Sequence, residues 1–114
     1  TTAYSWGDAI NSSVANYNQN IGQTRDIGQY AANPWGFFDM HGNVWEWTAD
    51  WYQAAYSSGA VTDPTGPASG SYRVERGGSW NLTGTSLRSA KRSNDAPGNR
   101  LYYLGFRVGF KASQ

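Results

Sequence analysis

The sequence predicts an α+β, loop-rich domain built mostly from short antiparallel strands. Three observations lead there. Glycine, 14 residues of 114, and the other turn formers are spread along the whole chain with no linker-like block and no repeat. The apolar periodicity that does occur has a period of two and lasts only a few residues, the signature of short strands with two distinct faces. The single candidate helix is weak: "GDAINSSVANY" offers Asp8 as an N-cap, but its apolar spacing is poor and Ser12, Ser13 and Asn16 disfavour helix, so it reads mostly as loop.

In chain order, "NPWGFF" (33–38) is a turn punctuated by Pro34 and Gly36, followed by a strand start. "NVWEWTADWY" alternates Val44, Glu46 and Thr48 with Trp45 and Trp47, and is a strand. Residues 54–71 form a surface loop held by Pro64 and Pro67. "YRVERGG" places Tyr72 and Val74 on one face and Arg73 and Glu75 on the other. "SLRSAKR" is a weaker strand. "LGFRVGF" closes the chain with Phe106, Val108 and Phe110 inward and Arg107 outward. Trp35, Trp45, Trp47, Trp51 and Trp80 are expected to fill the core rather than to form a sugar-stacking platform. One core is what a chain of this length holds.

Composition removes several function classes. The formal net charge of +1 supplies no long-range field, which argues against nucleic acid as a partner and against a polybasic membrane anchor. No apolar run approaches the roughly 18 residues of a membrane-inserted helix. With no cysteine, the chain offers no disulfide, no thiolate nucleophile and no cysteine-bound metal. His41 is the only histidine; beside a Gly-Asn turn it reads as a structural hydrogen-bonding residue, not a general base.

The densest candidate chemistry is "DMHGNVWEW". Asp39 and Glu46 supply hard oxygens, and the glycine-bearing turn between them exposes carbonyls at Gly42 and Val44, part of a cage of the kind a structural calcium ion takes. The alternative is that the two carboxylates accept backbone hydrogen bonds that pin the loop.

The motifs "YSWGD", "NPWGFFDMHGNVWEWTADWY", "RGGSW" and "LGFRV" resemble, in order, the formylglycine-generating enzyme (sulfatase-modifying factor) family, a subtype of the C-type lectin-like fold. The resemblance implies one such domain over residues 1–114 and again assigns Asp39, Gly42, Val44 and Glu46 to a calcium site. The family's oxidases use a cysteine pair in the segment that corresponds to "LTGTSLRSAKR", and its ergothioneine-type relatives an iron-binding histidine cluster; this chain has neither. The family domain also includes a substantial part before "YSWGD". The chain is therefore expected to be a fragment or a reduced version of the fold, with an uncovered edge or apolar patch that invites self-association or the remainder of a longer chain.

Within the family, "RVERGGSWN…RSAKRSN…LGFRV" is most similar to the variable proteins of diversity-generating retroelements, non-catalytic ligand binders whose loops are mutagenised at template adenines. The resemblance implies a variable region at about 81–104, with a binding surface made of Leu82, Thr83, Gly84, Thr85, Ser86, Ser93, Asn94, Asp95, Ala96, Gly98, Asn99, Leu101, Tyr102, Tyr103 and Leu104. None of these is Lys, Glu, Gln, Met or Trp, the residues that such mutagenesis of an AAC codon cannot produce. Lys91 departs from that rule and is taken as fixed. The implied partner is a protein or other macromolecule met at the cell surface or outside the cell. Two alternatives stay open: a fragment of a sulfatase-modifying-factor-like enzyme whose active residues lie elsewhere, and a structural surface domain.

Overall fold

The computed structural model describes residues 1–56 and 58–109. Its regular structure is one four-stranded sheet: β1 (Trp45–Trp51), β2 (Arg73–Arg76), β3 (Ser93–Asp95) and β4 (Leu104–Gly105), in the order β3-β2-β1-β4. β1 pairs antiparallel with β2, and β2 with β3, whereas β4 lies parallel to β1. A 3-10 helix, Gly84–Leu87, is the helical element among the described residues. The remainder is loop.

The two central strands form where the two-residue period is clearest. Trp47 stands opposite Glu75 and Trp51 opposite Arg73, so β1 spends four residues where β2 spends two. The bulge is held by the Thr48 hydroxyl, which donates to the Val74 carbonyl at 3.1 Å, and by Arg73, whose guanidinium donates to the Ala49 carbonyl and lies 3.6 Å above the Trp51 ring.

The core lies between the N-terminal loop and the 3-10 helix. Tyr4, Ala15 and Leu87 pack together with Trp6, Ile10, Tyr17 and Leu82 around them, while Val74 and Trp45 are buried in the sheet. The GGSW turn makes this approach feasible. Gly78 has φ 75°, and a Cβ there would lie 2.6 Å from the Leu87 side chain. Gly42, whose N–H donates to the Gly77 carbonyl at 2.8 Å, does the same beside it: φ is 89°, and a Cβ would meet the Asn16 carbonyl at 2.3 Å.

Buried polar groups tie the loops to this core. Asn43 donates its backbone N–H to the Asn16 carbonyl at 2.9 Å and accepts from the Trp80 N–H at 2.9 Å. Its side-chain amide pairs in both directions with the backbone of Arg25, at 2.8 and 3.0 Å. His41 bridges the Leu87 carbonyl (Nδ1, 2.6 Å) and the backbone N–H of Ser5 (Nε2, 3.0 Å). Because the Ser5 amide can only donate, Nε2 accepts and Nδ1 carries the proton. The structural role expected for His41 is the one it has.

Several sequence expectations are corrected. "SLRSAKR" is not a strand; Leu87 is taken into the 3-10 helix, and β3 begins only at Ser93. No strand follows "NPWGFF", and Trp35 is 76% exposed rather than core. β4 stops at Gly105, and Phe106 and Val108, expected inward, are 76% and 74% exposed. Phe110 lies outside the described residues. The physical reason is Arg107, whose guanidinium reaches back to Glu46 and to the carbonyls of Phe38 and Asp39, turning the chain off the sheet before a second strand face develops. Just before β2, Tyr72 is exposed, while on β2 Glu75, assigned to the outer face with Arg73, is buried.

Candidate functional site: a polar cleft and an adjoining groove

Register alone gathers the chemistry. Glu75 stands opposite Trp47 on one side and Ser93 on the other, and Arg73 opposite Asp95. Residues two apart share a face, so Trp45, Trp47, Glu75, Ser93 and Asp95 project from the same side of the sheet. Val74, on the other side, goes into the core.

Two hollows lie over that face. The first is a cleft of about 470 Å³ floored by Trp45 and Glu75 and walled by Asn81, Leu82, Ser86, Ser93, Asn94, Asp95 and Tyr103, with Lys91 exposed at its rim. The second is a groove of about 580 Å³ between Trp47 and the 97–101 loop, lined also by Leu104 and Phe106. The segment 101–104 separates them: Tyr103 faces the cleft, whereas Leu101 and Leu104 face the groove.

The expected binding residues divide between these hollows. Leu82, Ser86, Ser93, Asn94, Asp95 and Tyr103 line the cleft; Gly98, Asn99, Leu101 and Leu104 line the groove. Tyr102 stands exposed beside them, edge-on to Tyr103 with centroids 4.9 Å apart and 6.1 Å from Trp80. Thr83, Thr85 and Ala96 line neither, and Thr83 and Thr85 are exposed with their hydroxyls 3.0 Å apart. Gly84 serves packing, because its carbonyl accepts from the Tyr4 hydroxyl at 2.9 Å and a side chain there would press on Ile10. Ser93, Asn94 and Asp95 belong to a strand rather than to an irregular loop.

Sequence reasoning missed Glu75. The residue is 4% exposed, and its Oε2 is buried with no hydrogen-bond partner. Burial pushes its pKa up, the Ser93 hydroxyl across the strand pair draws it back down, and the nearby Asp95 charge adds to the rise. The signal was present but ambiguous: an acidic residue between Val74 and Arg76 in a strand reads as solvent-facing until the segment that covers it is known.

The expected calcium ligands are arranged otherwise. Both carboxylate oxygens of Glu46 accept from Arg107, at 2.6 Å each, in a bidentate pair. The same guanidinium donates to the carbonyls of Phe38 at 2.9 Å and Asp39 at 3.1 Å, and the Asp39 side chain accepts from the Gly28 N–H at 2.7 Å. Glu46 holds Arg107 even more firmly protonated than usual. As placed, Glu46 and the Phe38 and Asp39 carbonyls serve a guanidinium, and the two carboxylates do not close an oxygen cage between them. A calcium ion would have to displace Arg107 or share Glu46 with it.

The sulfatase-modifying factor enzyme 1-like domain model matches residues 1–112. The chain belongs to this family. It is 40% identical over 107 residues to a serine/threonine-protein kinase pkn1 of Chlamydia caviae, covering 91% of this chain and 17% of that protein. It is 39% identical over 88 residues to the formylglycine-generating enzyme of Streptomyces coelicolor, covering 74% of this chain and 28% of the enzyme. Among solved structures, Treponema denticola variable protein 1 superposes with a TM-score of 0.79 at 35% identity, over 90% of this chain and 39% of that one. PvdO from Pseudomonas aeruginosa follows with a TM-score of 0.73 at 28% identity, over 91% and 42%. The fold is thus the C-type lectin-like fold of the formylglycine-generating-enzyme subtype, as the sequence motifs implied. The chain spans under a third of the length of these two curated relatives.

Proposed function

We propose that the domain is a non-catalytic ligand-binding module whose cleft, groove and intervening tyrosines form a replaceable recognition surface for a protein or other macromolecule, diversified as in retroelement variable proteins. The observation that carries this reading is how the region 82–104 is held. Its shape rests mainly on main-chain bonds: Leu82 N–H to the Ser79 carbonyl at 3.1 Å, Ser86 to Thr83 at 3.0 Å, Lys91 to Arg88 at 2.9 Å, Asn99 to Ala96 at 3.0 Å and Leu104 to Leu101 at 3.0 Å. The Asn18 N–H adds a 2.8 Å bond to the Leu82 carbonyl, and the β2–β3 ladder fixes 93–95. None of these bonds depends on which side chain stands at the position, so side chains other than at Gly84, which is packed against Ile10, can change while the backbone persists. Tyr102 and Tyr103 supply large, rather rigid amphipathic area, and Ser, Thr and Asn around them supply adaptable hydrogen bonds, the mixture used by antibody loops. The similarity to a variable protein supports the same reading.

The test uses a ligand selected against this surface. Tyr102→Ala with Tyr103→Ala should abolish detectable binding, since aromatic anchors typically carry about 2 kcal/mol or more each. Thermal unfolding should stay near wild type for Tyr102→Ala, and Tyr103→Ala, half-buried against Trp45, should cost about 1–2 kcal/mol. Undiminished binding by the double variant would remove the proposed face. The competing reading, a piece of a formylglycine-generating enzyme, is favoured by the curated relatives of that name. It requires thiolate chemistry from outside a chain that has no cysteine. Coding DNA decides between them: codons for the binding residues should differ from a nearby template repeat only where the template has adenine.

A further inference from the structure

The floor of the cleft holds a group whose burial needs explaining. Glu75 is 4% exposed, its Oε2 makes no hydrogen bond, and it lines a hollow large enough for a side chain. A buried carboxylate with one oxygen unpaired destabilises a fold, and native proteins rarely keep one without use. Packing does not require it, since Val74 fills the core from the same strand and Trp45 and Trp47 flank Glu75 on its own face.

We propose that the cleft is a receptor for an organic cation, the guanidinium of an arginine side chain presented by a protein partner, with the Glu75 carboxylate as its counter-ion. This deepens the binding reading above and rests on it for the identity of the partner as a protein. Charge complementarity selects the cation. The cleft is lined by two carboxylates, Glu75 and Asp95, and by one ammonium, Lys91, which stays at the exposed rim and forms no ion pair with Glu75. Arg73 shares the sheet face, but its guanidinium is turned away onto the Trp51 ring and the Ala49 carbonyl. The cleft thus lacks one positive charge at its floor. Its aromatic walls, Trp45 and Tyr103, favour a planar, weakly hydrated guanidinium over an ammonium. Asn81 and Ser86 provide acceptors for the N–H groups that Glu75 does not reach. Glu75 and Trp45 are not among the positions implied to vary, so the counter-ion and one aromatic surface persist while Ser86, Asp95 and Tyr103 can change.

The experiment titrates the isotope-labelled chain with N-acetyl-arginine amide and with its neutral isostere, N-acetyl-citrulline amide, following amide shifts at Ser93, Asp95 and Tyr103 and the Glu75 carboxyl carbon. The arginine compound should saturate the shifts and lower the Glu75 pKa, with citrulline at least about tenfold weaker. Glu75→Gln should weaken arginine binding by a similar factor. Equal responses to both compounds, shifts confined to residues outside the cleft, or undiminished binding by Glu75→Gln would each overturn the proposal. If Glu75→Gln does not fold, the arginine–citrulline comparison on wild type still decides it. The probe is a single amino-acid derivative, so its outcome is separate from that of the tyrosine test. Binding of the probe with no effect of the tyrosine pair would keep the cation site and discard the macromolecular face.

Discussion

At the scale of single residues, Arg107 is the side chain whose role the sequence most understated. The sequence places it only as the outward member of a closing strand, yet it joins Glu46 on β1 to the carbonyls of Phe38 and Asp39 and so fastens the segment after β4 to the loop before β1. Since the pair is partly exposed, its own contribution to stability is small, about 1 kcal/mol or less. Its consequence for metal binding is larger. With both Glu46 oxygens engaged, the melting temperature of the wild-type chain is expected to be indifferent to chelator and to added calcium. Arg107→Ala frees that carboxylate beside two carbonyls and should make the melting temperature rise with calcium concentration, as a ligand of the native state must. A calcium-dependent rise already present in wild type would show that the ion displaces Arg107.

The strands show which parts of the fold were legible in the sequence. β1 and β2 announced themselves because their alternation, Trp45/Trp47 against Glu46/Thr48 and Val74 against Arg73, is a local property that survives folding. The same reasoning failed at Phe106 and Val108, where the alternation is equally good but the pairing partner is missing: β4 has only Trp45 and Glu46 to pair with before Arg107 turns the chain away. Burial of Glu75 was illegible for a related reason, because groups that share its cleft, Leu82 and Tyr103, come from separate later segments. The candidate binding surface was legible as a stretch of sequence through its family resemblance, but its division into cleft and groove depended on where 101–104 crosses the sheet. The strands also set a prediction. Trp45→Ala removes a side chain only 5% exposed and should cost about 3–5 kcal/mol in a denaturant titration. Phe106→Ala, 76% exposed, should stay within about 0.5 kcal/mol. A large loss at Phe106 would mean that the segment after Gly105 packs against the sheet in solution.

For the whole molecule, two buried titratable groups give the stability a pH dependence with opposite slopes. Burial pulls the pKa of His41 below its ordinary 6.5, while its bond to the Leu87 carbonyl offsets part of the fall. The unfolded chain then binds that proton more readily, so His41's contribution is complete above pH 6.5 and is lost as pH falls through the lowered value. For Glu75, raised above its ordinary 4.5, the order reverses. The native state holds the proton longer, so this contribution is complete below pH 4.5 and is lost as pH rises through the raised value. Above the raised value the chain therefore folds around a charge it would be more stable without. Glu75→Gln should raise stability at pH 7 by about 1–3 kcal/mol, the usual cost of an unsatisfied buried polar group, and the gain should shrink towards zero at pH 4. Denaturant midpoints of both proteins at the two pH values give the comparison. A guanidinium in the cleft would supply the missing counter-charge, so a saturating arginine probe should narrow the neutral-pH gap by stabilising wild type alone. If Glu75→Gln instead loses stability at pH 7, the carboxylate already has a partner in the folded chain. The cleft would then be a structural ion-pair site rather than a site waiting for a cation.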